Sequence, residues 1–146
     1  MYAEQHRFAM QLAQLSRGWR AELDRRLADL GLSQARWLVL LHLARFDHSP
    51  TQRELAQSVA VEGPTLARLL DGLEAQGLIH RQASLEDRRA KLILLGAPAR
   101  PLIERIEAIS TQVREELFDG IPEEDLRKCQ QVHARILANL NKTRAL

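Results

Sequence analysis

Residues 51–95 constrain this chain more than any other stretch. Thr51-Gln52-Arg53-Glu54 places a threonine and a glutamate three positions apart, where each side chain can satisfy an orphan backbone N–H at a helix start. Leu55, Ala56 and Val59 give that short helix an apolar face. After Ala60-Val61-Glu62, Gly63-Pro64 opens a second helix, with proline suited to its first position. Leu66, Leu69, Leu70 and Leu73 form its inner side and Gly77 supplies the stop. Residues 78–82 and 91–95 read as two strands around a polar tip, residues 84–90. A tip that long is no two-residue turn, so it is expected to project and to be mobile.

Helix, turn, helix and basic-tipped hairpin in that order outline a winged helix-turn-helix, a shape that places one helix in the major groove of DNA. The expected fold class is mainly α (α+β). One domain is expected over residues 1–146, with a winged DNA-binding part at 33–97 and dimerisation helices at 1–32 and 98–146.

The flanking segments support this division. Phe8, Leu12, Leu15, Trp19, Leu23, Leu27 and Leu30 recur at spacings of three and four, which predicts one long amphipathic helix ending at Gly31. Ser33 is a natural N-cap for the next helix, whose Leu38, Leu40, Leu41 and Leu43 are too continuous for a surface element. Leu102, Ile103, Ile106, Ile109, Val113 and Leu117 mark a fifth helix, and Gly120-Ile121-Pro122 breaks it. The last helix carries a stripe of Leu126, Cys129, Val132, His133, Ile136, Leu137 and Leu140. The two terminal stripes either cover each other across a two-fold homodimer or pack on the chain's own core. A dimer would present two reading helices to successive major grooves, roughly 34–36 Å apart.

Composition adds modest bounds. The 146 residues are 45% hydrophobic, 27% charged and 4% aromatic, so the core must come mainly from aliphatic side chains. One cysteine cannot form an internal disulfide, and no apolar run approaches the ~20 residues of a membrane span. No signal peptide is evident, so a cytoplasmic location is expected. The formal net charge of +2 mildly favours a polyanionic partner. Residues 45–95, however, hold seven Lys/Arg against seven Asp/Glu, so the reading part has no excess positive charge.

Several strings resemble the MarR family, and most closely its SlyA-like branch. They are residues 12–20, Gly31-Leu32-Ser33-Gln34-Ala35-Arg36-Trp37, Gln52-Arg53-Glu54-Leu55-Ala56, residues 61–74 and the wing string Asp87-Arg88-Arg89-Ala90-Lys91. The resemblance implies a homodimeric, ligand-responsive bacterial transcription factor that binds double-stranded palindromic operator DNA. One departure stands out: Gly96-Ala97-Pro98-Ala99-Arg100-Pro101 replaces the family's usual threonine-containing start of the fifth helix, which bears on where that helix begins.

Candidate DNA contacts follow. Pro64 and Thr65 sit at the start of the reading helix, where a hydroxyl and backbone N–H groups can meet a phosphate or base edge. Arg68, about one turn further, could reach a guanine edge, or else pair with Asp71 or Glu74. The resemblance implies that Arg88 enters the minor groove, oriented by an ion pair with Asp87. Arg89 and Lys91 would add phosphate contacts, and Gln52 and Arg53 would touch backbone at the preceding helix. The bland reading of the wing is a solvated charge cluster.

The resemblance also implies a ligand site at Arg17, Trp19, Arg20 and Trp37 for a small aromatic carboxylate such as salicylate. Guanidinium forks suit a carboxylate and an indole stacks on a ring; against this, Trp19 also lies on the core stripe. Cys129 is expected to be a small buried hydrophobe. Five scattered histidines and the single cysteine give no metal-ligand spacing, and no phosphate-binding or dinucleotide fingerprint appears. No enzymatic activity, metal or cofactor is expected. A winged-helix dimer acting only through protein–protein contact remains the alternative, supported by the neutral reading part. A repressor and an activator that displaces a silencing protein look identical at this level.

Overall fold

The computed structural model describes residues 1–145. In chain order the helices are α1 (Tyr2–Arg26), α2 (Gln34–Arg45), α3 (Gln52–Val59) and α4 (Gly63–Ala75). The strands β1 (Ile79–Ala83) and β2 (Lys91–Leu95) follow, then α5 (Ala99–Leu117) and α6 (Glu123–Arg144). Packing divides the chain into one unit ending at Val113 and a second beginning at Arg114.

In the first unit, α1 stops at Leu27 and a short 3-10 turn, Ala28–Leu30, carries the chain to Gly31. The expected stripe therefore splits. Leu27 is buried and Leu23 and Leu30 pack on the core, while Phe8, Leu12 and Leu15 are exposed. The Ser33 hydroxyl accepts the Arg36 N–H and starts α2, which is enclosed at Trp37, Val39, Leu40, Leu41 and Leu43. That burial on several sides matches the continuous leucines. Leu55 of α3, Leu66, Leu70 and Leu73 of α4, and Ile79 and Ile93 of the strands complete one aliphatic cluster around α2. Each such side chain contributes about 2 kcal/mol through burial.

The strands pair antiparallel from Ile79 opposite Leu95 to Ala83 opposite Lys91. Thr51 also bridges Leu92, and the Ile93 N–H donates to the Pro50 carbonyl at 2.9 Å. The start of α3 is thus bonded to β2, a long-range pairing that no local pattern predicts. At the far end of β2 the two prolines do not delay α5: Pro98 precedes its first residue and Pro101 lies in its first turn, where a missing N–H costs little. The buried side of α5 includes Ser110, whose hydroxyl has no hydrogen-bond partner among the described residues. An unmet buried hydroxyl costs about 1–3 kcal/mol.

The second unit contains the end of α5, a turn through Gly120, and α6. Glu123, Glu124 and Asp125 occupy the first turn of α6, where acids favour the positive end of the helix dipole. No residue of α6 is buried, and Val132, Leu137 and Leu140 are exposed. Cys129 is exposed as well, which corrects the expectation of a buried hydrophobe. Within this single chain no residue of α6 is enclosed. No helix of the described residues is long and apolar enough to cross a membrane.

Candidate nucleic-acid interface

Three elements carry the predicted reading residues. The first is the N-terminus of α3. The Glu54 N–H donates to Thr51 Oγ1 and the Thr51 N–H donates to Glu54 Oε1, both at 3.1 Å, completing the reciprocal cap that the sequence spells out. Glu54 Oε2 also lies 3.3 Å from His48 Nε2, and His48 Nδ1 lies 2.7 Å from Asp47. These contacts, Asp47 foremost, raise the titration of His48 above the ordinary imidazole value. Gln52 and Arg53 stand outward on the capped turn, and Arg53 is exposed.

The second element is α4. Its N-cap residue, Glu62, makes no side-chain capping bond, so the amide donors of the first turn keep their capacity for an anion. Pro64, Thr65 and Arg68 are all exposed, on the side opposite Leu66, Leu70 and Leu73. The intramolecular pairing weighed for Arg68 does not form. Asp71 and Glu74 are both engaged by Arg81 instead.

The third element is the wing. The Ser84 hydroxyl accepts the N–H groups of Glu86 and Asp87 at 3.3 and 3.4 Å, and Asp87 Oδ1 accepts the Arg89 N–H at 3.0 Å. Backbone bonds from Ser84 to Ala90 and from Ala90 to Asp87 close the loop at 2.9 and 3.0 Å. The tip projects as predicted, and it is tied by its own hydrogen bonds. The expected Asp87–Arg88 ion pair is absent among the described residues: Asp87 holds the loop backbone, and Arg88 is left exposed without a partner.

Between α3 and the wing lies an open groove of about 1030 Å³. Arg53, Arg81, Arg89 and Lys91 line it together with one acid, Asp87, and Gln52 and Gln57 add amide groups. Three of the eight predicted contact residues are therefore cations of one channel, Gln52 joins them, and Pro64, Thr65, Arg68 and Arg88 lie on exposed surface outside its lining.

Geometry also resolves the charge balance. Of the seven acids in residues 45–95, Asp71 and Glu74 are taken by Arg81, and Asp47 and Glu54 face His48. Arg53, Arg68, Arg88, Arg89 and Lys91 have no ion pair among the described residues. Glu62, Glu86 and Asp87 have no ion pair among the described residues either, so unpaired cations outnumber unpaired acids here but do not stand alone.

Arg81 is the residue that sequence reasoning missed. Its signal was parity: Ile79 and Arg81 lie on one face of β1. Ile79 is fully buried, so an arginine two positions on must find acids to meet it.

The predicted ligand residues do not converge in the same way. Arg17 and Arg20 are exposed on α1, and Trp19 is half-buried. The Arg20 carbonyl accepts the Gln34 side-chain amide at 3.2 Å, and its charge helps burial and Arg45 to lower the titration of His42. Trp37 is only 1% exposed; its indole N–H points to Asp24 Oδ1 at 3.5 Å. It is core of α2, and presents no ring face to a ligand beside the arginines.

Comparison with known proteins accords with this architecture. The MarR family model matches residues 30–90. The solved structure of transcriptional regulator PA3341 is 67% identical, covers 92% of this chain and 98% of its own, and superposes with a TM-score of 0.87. MepR of S. aureus, solved as a DNA complex, is 24% identical over 91% of this chain and 97% of its own, with a TM-score of 0.82. CouR from Rhodococcus jostii RHA1, solved with p-coumaroyl-CoA, is 23% identical over 88% and 90%, with a TM-score of 0.78. A reciprocally capped α3 followed by α4 and a hairpin, the family-model match and a near-complete match at two-thirds identity lead to one conclusion: the chain belongs to the MarR family of transcriptional regulators.

Proposed function

We propose that this protein is a homodimeric, cytoplasmic regulator of the SlyA-like kind that binds a palindromic operator. The observation that carries the reading is the groove between α3 and the wing where Arg53, Arg89 and Lys91 meet without an ion pair, the acid in its lining, Asp87, being bonded to the Arg89 backbone N–H. In this reading α4 enters the major groove, with Pro64 and Thr65 against a phosphate and Arg68 at a base edge. The strand of phosphates leaving that groove passes Gln52, Arg53, Arg89 and Lys91, and Arg88 enters the adjoining minor groove. The apolar side chains exposed on α1 and α6 are the surface two copies would cover. That the fold relative MepR was solved on DNA is consistent with this use of the scaffold.

Titration at increasing salt tests the electrostatic part. Log affinity for operator DNA is expected to fall linearly with log salt, by about 0.9 per phosphate neutralised. Affinity indifferent to salt would contradict the assignment of the groove.

For the effector we propose that Arg17 and Arg20 hold the carboxylate of a small aromatic acid beside Trp19, which relieves operator binding. The fold relative CouR was solved with p-coumaroyl-CoA, which supports a small-molecule effector in general terms. Because Trp37 is enclosed, the optical signal belongs to Trp19. Salicylate is expected to quench the remaining tryptophan of a Trp37→Phe variant and to leave an Arg17→Ala/Arg20→Ala variant unchanged. Equal quenching in both would remove the arginines from the site.

A further inference from the structure

We propose that Arg81 is a positioning residue that fixes the wing against the reading helix, so that Arg88 and α4 address neighbouring grooves of DNA together. The inference rests on the DNA-reading function proposed above and adds a residue to it. Arg81 belongs to β1, yet its main partners are on α4. Its Nη2 donates to Asp71 Oδ1 and, at 3.2 Å, to Glu74 Oε1. Its backbone N–H donates to the other oxygen of Glu74, also at 3.2 Å. One carboxylate therefore grips both the side chain and the main chain of a single strand residue. A second carboxylate, Asp71, three positions back on the same helix face, meets the same Nη2. The Arg81 side chain is 17% exposed, while Asp71 and Glu74 open to solvent at 66% and 42%.

The lever arm gives this clamp its importance. Arg81 stands three strand steps, about 10 Å at roughly 3.3 Å per residue, before the folded tip that begins at Ser84. A tilt of about 10° at the base would move the start of the tip by about 1.7 Å, more than half the length of a hydrogen bond, and the residues beyond it further. Below Arg81 the hairpin joins α4 through Gly77 and Leu78, and the Leu78 N–H donates to the Leu73 carbonyl at 2.9 Å. That junction fixes the hairpin base, and the clamp on Asp71 and Glu74, which flank Leu73 on α4, fixes its angle. Arg81 lines the same groove as Arg53, Arg89 and Lys91, but with two carboxylates on it the guanidinium is no free phosphate ligand. Because one terminal nitrogen, Nη2, donates to both acids, a lysine ammonium with its three donors can replace much of that pairing.

A double-mutant cycle read by fluorescence anisotropy tests the assignment, with a palindromic duplex enriched from random DNA as probe. In the wild-type background Arg88→Ala is expected to weaken binding more than about tenfold; in an Arg81→Ala background the same change is expected to cost less than about threefold, because a misaimed wing has little left to lose. Arg81→Lys, whose ammonium can donate to both acids, is expected to restore most of the wild-type cost of Arg88→Ala. Glu74→Gln, at an exposed position, supplies the same cycle if Arg81→Ala lowers the yield of folded protein. Losses that simply multiply in the Arg81→Ala cycle, or in its Glu74→Gln counterpart, would overturn the inference. So would full recovery of affinity on adding Asp71→Asn and Glu74→Gln to Arg81→Ala, which would make charge masking the whole effect. A wild-type protein that prefers no duplex would contradict the DNA reading itself, whereas selective binding with multiplicative losses would contradict only the role of Arg81.

Discussion

Arg88→Ala is expected to weaken operator binding by more than about tenfold and to leave the melting temperature unchanged. The two halves of that result come from one observation: Arg88 is exposed and makes no hydrogen bond or ion pair among the described residues. Nothing in the folded chain depends on it, so its removal opens no cavity and orphans no partner. Its value lies in a loop already shaped for it. Ser84 and Asp87 spend their side chains on the backbone of the tip, so little ordering remains to be done on binding. The salt slope is expected to fall by about one unit as a phosphate-adjacent charge is lost. Arg88→Lys is expected to recover the slope more fully than the affinity, because an ammonium replaces the charge and not the flat fork. Gel-shift titration at two salt concentrations, with thermal melts beside it, checks all of these; unchanged affinity in Arg88→Ala would refute the wing assignment.

The second large effect concerns the fold. Gly96→Ala is expected to destabilise the protein by about 3 kcal/mol and to lower Tm by roughly 10 °C. A Cβ on Gly96 would lie 2.2 Å from the Gly77 carbonyl oxygen and 3.2 Å from the Leu78 carbonyl carbon. Both are backbone atoms, and the Gly96 N–H donates to the Leu78 carbonyl at 2.8 Å, so neither side of the contact can swing away. Gly77 itself sits at φ +73, a conformation that suits glycine, and it cannot readily move to make room. Gly72→Ala is the internal control. There the new methyl would meet only the guanidinium end of Arg36, a flexible side chain that can be displaced. Its effect is expected to stay within about 0.5 kcal/mol, the helix preference for alanine offsetting the displaced contact. Thermal melts of the two variants decide the matter: a Gly96→Ala protein as stable as wild type would mean that the wing base is looser than described.

Local chemistry was legible in the sequence and long-range pairing was not. The reciprocal cap of Thr51 and Glu54, proline near the start of α4 and the hairpin flanking residues 84–90 depend on residues within a few positions of one another. Sequence spacing is nearly sufficient to find such features. The bridge from Thr51 to Leu92 and the bond from Ile93 to Pro50 join segments about forty positions apart and leave no periodic trace. Trp37 shows how a chemically attractive residue misleads. Its ring suits an aromatic ligand, but it lies on a helix whose unbroken leucines already signalled burial. Asp87 was expected to aim Arg88 and instead holds the Arg89 backbone, because a short acidic side chain in a loop reaches a main-chain N–H more readily than a neighbouring guanidinium. The apolar stripe of α6 and the outer stripe of α1 were legible as amphipathic. What covers them is a question that one chain leaves to the proposal of a dimer.

Selection of bound fragments from random DNA, followed by sequencing, measures the central claim most directly. The account predicts an enriched inverted repeat whose half-site centres lie about 10–10.5 bp apart, with an A·T-rich flank where the wing arginine enters. Enrichment of a lone half-site, or recovery of the starting pool without enrichment, would contradict it.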